Sequence, residues 1–302
     1  MWIELSLAGG VFQTVRNSLA RSLAGQTSPM LNSWSRFAFN LPFSASVAAV
    51  LVHRSGAPEL PAAFFGYVAA TALTQLLANV ALVAAFERAN FAQSIVLHKL
   101  EIVFTAVIGV ALFGEVPSTA GWIGIATCTS GVLVMNLGRE AGPAGWRRAF
   151  HLDRGAWLAI ACGVLLVFAS FLLKEAVAVY AVANPRVGAG RFEAACHTLF
   201  HTTWIEVVIL TTTLVLARPA EFRHVRRLWR RMAAIGFAGF CGSMCWFWAY
   251  SIALVAYVKA VGQIEAILSV GIALAVWRER EVWRQLPGVG LVMAGIGVIL
   301  LA

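Results

Sequence analysis

The sequence predicts an all-α integral membrane protein, with ten transmembrane helices arranged as two inverted five-helix repeats. Three observations lead there. Of 302 residues, 60% are hydrophobic and only 12% are charged, with a mean hydropathy of +0.79, whereas a soluble domain carries about a quarter charged residues. The apolar runs recur at the length of a bilayer crossing, roughly 20 residues each, which leaves room for about ten spans and for no independent soluble catalytic domain. The third observation is a repeat relating the two halves of the chain.

Taken in order, proline, glycine and charge clusters separate the apolar runs into spans at 3–20, 33–52, 62–85, 91–113, 119–137, 155–173, 192–217, 232–251, 255–277 and 285–302. The first is expected to be a retained helix, because Glu4 precedes any cation and Gln13 and Arg16 interrupt its apolar run. A cleaved leader needs a basic start and an unbroken apolar core. The connection 138–154 holds Pro143 and four arginines, and 218–231 holds Pro219 and six; both are too basic to lie in lipid. Lys and Arg are retained on the cytoplasmic side. Connections after even-numbered spans hold only Arg54, Lys174, Arg186 and Arg191, so the cation count places both termini outside. Membrane topology accounts for the net charge of +9, and no nucleic-acid partner is expected. The five cysteines all fall in apolar stretches without paired loop spacing, which argues against a disulfide framework.

Residues 100–131 superpose on 264–295 at a constant shift of 164 residues, with Glu101 on Glu265, Thr105 on Ser269, Glu115 on Glu279, Gly124 on Gly288 and Gly131 on Gly295. Span four thus corresponds to span nine, and span five to span ten. The chain divides into a first repeat (1–137), a basic connection (138–154) and a second repeat (155–302). An odd number of spans per repeat inverts the second relative to the first, a plan that places alternating-access sites near the bilayer midplane.

On the run Glu101–Ile102–Val103–Phe104, then Gly114–Glu115, Gly124 and Gly131, and its second copy Glu265–Ala266–Ile267–Leu268, Arg278–Glu279, Gly288 and Gly295, the chain resembles the EamA-type members of the drug/metabolite transporter superfamily. The pairs Arg36–Phe37 and Arg191–Phe192, opening the second helix of each half, look like the family too. The resemblance implies a ten-helix secondary carrier that exports or exchanges a small metabolite, with a cavity lined by spans one, three, four, six, eight and nine. Two features depart from the family: the usual proline after each carboxylate is missing, and family members keep their termini in the cytoplasm.

Ionised groups at mid-bilayer cost about 2.5–3.5 kcal/mol on insertion scales, so they face a cavity or a partner. Glu101 and Glu265 occupy equivalent positions and are expected to approach one axis, each on an i, i+4 ridge: Gln93, Leu97, Glu101, Thr105 and Tyr257, Val261, Glu265, Ser269. They could bind substrate or exchange a proton, or they could merely cap backbone or hold a permanent cation. Gln13, Arg16 and Asn17 share one face of the first span, from which Arg16 could reach Glu101 or Glu265, or else snorkel to the surface. Lys99, with Gln263 at its equivalent position, is favoured as a site residue over Lys259, which is placed to snorkel. Gln75 and Asn79 continue a hydrogen-bonding stripe from Thr71. Trp246 and Tyr257 could wall a pocket, although aromatics near span ends more often form an interfacial belt.

Glu193, His197 and His201 recur at four-residue spacing, with Glu206 further along. They suit a proton relay or interhelical hydrogen bonding better than a metal, and no metal or cofactor is expected. Gly-rich spans five and ten are read as packing or homodimer elements. Phosphate-binding loops, dinucleotide fingerprints and nucleophile elbows are absent, so the expectation is no enzyme and no ATP-driven pump. The alternative is a carrier-fold membrane protein that acts as a receptor or partner subunit without transporting.

Overall fold

The computed structural model of the chain describes residues 1–23, 26–88, 97–137, 153–185, 190–275 and 280–301. Gln93, Arg186, Arg278, Glu279 and most of the basic connection 138–154 lie outside them. Among the described residues twelve α-helices follow one another: α1 (Trp2–Arg21), α2 (Pro29–Ala38), α3 (Leu41–Ser55), α4 (Ala62–Arg88), α5 (Glu101–Phe113), α6 (Thr119–Leu137), α7 (Arg154–Ala183), α8 (Gly190–Ala217), α9 (Arg223–Ile252), α10 (Val255–Val261), α11 (Ile264–Ala275) and α12 (Leu286–Leu300). Two 3-10 turns, Pro219–Phe222 and Arg280–Gln285, precede α9 and α12.

Among the described residues seven helical segments are long and apolar enough to cross a bilayer: Pro29–Ser55, Ala62–Leu82, Arg154–Ala183, Gly190–Ala217, Pro219–Ile252, Val255–Ile272 and Trp283–Leu300. The chain is therefore an all-helical, multi-pass membrane protein. The first, fourth and fifth expected spans fall outside that set among the described residues. Helix α1 carries Glu4, Arg16 and Arg21, and α5 is 13 residues long within the described residues. Large apolar side chains such as Leu77, Val80, Leu112, Val208 and Met293 stand exposed, the arrangement lipid contact requires.

Contacts gather the chain into two compact units that cut across both sequence repeats: Met1–Leu73 with Leu172–Ile252, and Thr74–Phe171 with Ala253–Ala302. In the first, α1 lies along α9, while α2, α3 and α8 pack on one another and on α9. Its apolar core is built from Leu23, Leu31, Leu214, Leu228, Met232 and Ile235. Ser28 caps α2, its hydroxyl oxygen accepting from Leu31 N at 3.1 Å while the hydroxyl donates to the Glu221 carboxylate. Pro29 occupies the first turn of α2, where a missing N–H costs nothing. The second expected span is broken at Phe39 and Asn40, with Pro42 starting α3.

In the second unit α6 lies along α12, and α5, α6 and α10 meet. Small residues let α6 and α12 touch backbone to backbone. A Cβ on Gly288 would fall 2.5 Å from Gly131 O, and one on Gly295 2.5 Å from Cys128 N. Cys128 Sγ adds a contact to Val292 O at 3.5 Å. The close-approach glycines of spans five and ten are thus used within one chain, whereas Gly290 and Gly297 have open space beside them.

Candidate substrate and coupling site

Two interrupted helical segments of the second unit carry the site. Residues 97–99 are helical, Leu100 turns, and α5 starts at Glu101. Helix α10 ends at Val261, Gly262 and Gln263 turn, and α11 starts at Ile264. Each interruption is a tightened turn with i→i−3 hydrogen bonds: Leu100 N donates to Leu97 O at 3.3 Å, Gln263 N to Ala260 O at 3.1 Å and Glu265 N to Gly262 O at 3.1 Å. No proline is needed, so the departure from the family pattern does not remove the break. The break also ends the continuous ridge expected from Tyr257 to Ser269, because Tyr257 and Glu265 sit on separate helices.

At these turns the charges pair across the two segments. Lys99 Nζ donates to Glu265 Oε1 at 2.6 Å, with 16% and 12% of the side chains exposed. Lys259 Nζ lies 3.7 Å from Glu101 Oε2 and donates to Leu166 O at 3.3 Å. All four charges, with His98, interact electrostatically as one cluster. His98 Nδ1 contacts Cys162 Sγ at 3.5 Å. The pairing corrects one expectation. Lys259 does not snorkel: it is buried, 6% exposed, because Glu101 and a carbonyl oxygen hold it in the interior. In the first unit, Arg16 Nε and Nη2 donate to Asn17 Oδ1 at 3.2 and 2.8 Å.

Hydrogen bonds at the cluster's edges hold the segments in register. Gly114 ends α5 in the left-handed conformation (φ 66°), a position suited to glycine. The Glu115 carboxylate that follows accepts the N–H of Val255, an orphan donor at the start of α10, at 2.8 Å. The Tyr257 hydroxyl accepts from Ser118 N at 2.9 Å and donates to Ser118 Oγ at 3.3 Å, so this expected pocket wall also ties α10 to the start of α6. Gln263 is 3% exposed and donates to Lys259 O at 3.2 Å, while its Oε1 has no partner. Asn79 donates to the carbonyl of Gln75 at 3.0 Å within α4.

The remaining expected residues lie in the first unit. Trp246 Nε1 donates to Gln13 Oε1 at 3.1 Å, joining α9 to α1. Arg36 and Arg16 both run past Gly239, where a Cβ would lie 3.6 Å from Arg36 Cγ and 3.7 Å from Arg16 Cδ. Arg191 donates to Ser251 O at 2.9 Å, near the C-terminus of α9. On α8, His197 stacks on Tyr180 at 5.2 Å, Tyr180 donates to Glu193 Oε1 at 3.1 Å, and Trp204 Nε1 donates to His201 Nδ1 at 3.0 Å. Sequence reasoning set Lys259 behind Lys99 as a residue able to snorkel, and used Glu115 as a repeat position without a role at the site. The signal for Lys259 was its six-residue lead over Glu265, which puts it on the far side of an unforeseen turn.

Residues 1–137 match the family model described as the EamA-like transporter family. Twenty-four chains of solved structures match. One of them, titled "Crystal structure of protein", is similar with a TM-score of 0.70 at 15% identity, covering 98% of this chain and 95% of that one; at that identity the likeness concerns the fold. No curated protein matches.

Proposed function

We propose, from the premise that the chain belongs to the EamA-like transporter family through residues 1–137, that it is a ten-span secondary carrier of the inner (plasma) membrane. In this reading two inverted five-helix repeats move a small polar or amphipathic metabolite such as an amino acid, by export or exchange, with an ion or solute gradient as the source of energy. The observation that carries it is the crossed pairing of Lys99 with Glu265 and of Lys259 with Glu101. Each pair joins one sequence repeat to the other at an interrupted helix, the kind of element that forms transporter sites.

Two lysines and two glutamates make a cluster with no net charge. A zwitterion presents one charge of each sign, so it can exchange with such a cluster without stranding a buried ion. A lone anion or cation leaves one protein charge uncompensated, at a cost of several kcal/mol in a low-dielectric site. The test is uptake of a metabolite panel into proteoliposomes under an imposed pH gradient, comparing the wild type with Glu101→Gln and Glu265→Gln. Flux at least tenfold lower in both variants is expected. Full gradient-driven flux in both would refute the charged cluster as the transport site.

A further inference from the structure

The first unit holds a carboxylate that the cluster above does not use. Glu206, on α8, is 2% exposed and its Oε1 has no hydrogen-bond partner. Thr202 and Thr198 precede it on the same helical face, both buried, but the Thr202 hydroxyl donates to Thr198 O at 2.8 Å rather than to the carboxylate. Helix α8 packs on α2, α3, α9 and the turn Pro219–Phe222, and it also meets α4 through Phe64 and Phe65 against His201 and α7 through Tyr180 against His197. Their ionisable groups are Arg36 on α2, His53 and Arg54 on α3, Tyr67, Glu87 and Arg88 on α4, Arg154, Cys162, Lys174, Glu175 and Tyr180 on α7, His224, Cys241, Cys245, Tyr250 and the arginines 223, 226, 227, 230 and 231 on α9, and Glu221 in the turn. Helix α8 itself adds Glu193, His197 and His201. Among all of these, Arg36 is the group whose charge reaches Glu206. No direct ion pair joins the two among the described residues. The Arg36 guanidinium sits over the Phe37 ring, 5.0 Å from its centroid.

A carboxylate in the interior of a membrane protein is tolerated with a cation in contact, with donors on its oxygens, or with a proton. Glu101 and Glu265 have the first. Among the described residues Glu206 has no cation in contact and no donor at Oε1, and a proton is the remaining way to remove the charge. We propose that Glu206 is the proton-binding group of this chain, protonated in the arrangement seen and released to ionise when Arg36 closes on it. The step is an acid dissociation: the O–H bond breaks, the proton leaves to water, and the charge left behind is met by a guanidinium that stays protonated. As a coupling site this rests on the transport reading; as a proton site it stands without it.

Infrared difference spectroscopy of the purified full-length chain in lipid nanodiscs, titrated across pH, tests it without any substrate. A carbonyl band of a protonated carboxyl group should bleach as pH rises. That band should be lost in Glu206→Gln, kept in Glu101→Gln and Glu265→Gln, and persist to higher pH in Arg36→Gln. The amide is nearly isosteric with the protonated acid, so the fold should survive, and a pH-sensitive dye should count one fewer proton released per chain after a pH jump. A band retained in Glu206→Gln, or the absence of any titrating band, overturns the proposal. Gradient-driven flux measured on the same preparations separates the two readings. A bleaching band with flux unchanged in Glu206→Gln supports the proton site and removes its transport role. No titrating band with flux intact overturns the proton site and leaves the carrier standing.

Discussion

In the unit formed by residues 74–171 and 253–302, Glu101 and Glu265 each have a lysine within ion-pair range; in the unit formed by residues 1–73 and 172–252, Glu206 is more deeply buried and has none among the described residues. The two regions meet the cost of an interior carboxylate in different ways. Where a lysine is in contact, the charge is part of the packing, and removing the cation strands its partner. Where none is, the carboxylate's own protonation is the variable part, and neutralising it strands little.

The largest expected effect tests the first half of that contrast. Lys259→Ala or Lys99→Ala leaves a buried glutamate without its cation and should destabilise the protein by about 3–5 kcal/mol. Thermal unfolding in detergent measures it, and the double variants Lys259→Ala with Glu101→Gln, and Lys99→Ala with Glu265→Gln, should recover most of the loss. A double variant as unstable as the single one would mean that the lysine stem, not the charge pair, holds the turn.

Next in size is the backbone contact of the same unit. A methyl on Gly288 would meet Gly131 O and Met135 N at 2.5 and 2.6 Å, so Gly288→Ala should push α12 from α6 and cost about 1–3 kcal/mol. Gly297→Ala, with open space around it, is the matched control and should change nothing measurable. If both behave alike, the close approach of the two helices is not what stabilises that layer.

These contrasts also show how far the residues alone could lead. The membrane class, the helical segments and the glycine packing of spans five and ten follow from composition and spacing, because lipid imposes length and small residues permit contact wherever they recur. The pairing of Glu101 and Glu265 with lysines was within reach through the repeat, which marked both acids as interior. The identity of each partner was not, because it depends on turns at Leu100 and at Gly262–Gln263 that carry no proline signal. A continuous α-helix would set Lys259 and Glu265 six positions apart on different faces. Glu206 was legible as a charge in a span, but that it makes no direct ion pair with Arg36 among the described residues is a fact of packing that periodicity does not encode.

Smaller effects sharpen the comparison at single hydrogen bonds. Tyr257→Phe removes the acceptor for Ser118 N and should cost about 1 kcal/mol in the second unit. Trp246→Phe removes the bond to Gln13 Oε1 in the first and should cost about 0.6 kcal/mol, the average for interhelical bonds in membranes. Unfolding in graded detergent mixtures would rank them; a reversed order would mean that the α1–α9 contact relies more on its polar link than on the packing of Gly9 against Trp246.

The most discriminating comparison sets two carboxylate variants side by side. Glu101→Gln removes the negative charge that faces Lys259 and leaves that lysine with Leu166 O alone, so stability should fall by several kcal/mol. Glu206→Gln breaks no direct ion pair among the described residues and gives up only a longer-range attraction to Arg36, so its effect should stay below about 1 kcal/mol in either direction. The same chemical change, made in two helices of one chain, therefore separates a carboxylate that holds the structure together from one that the structure leaves free to change its proton. Equal losses in the two variants would mean that Arg36 supports Glu206 as firmly as Lys259 supports Glu101, and the contrast between the two units would disappear.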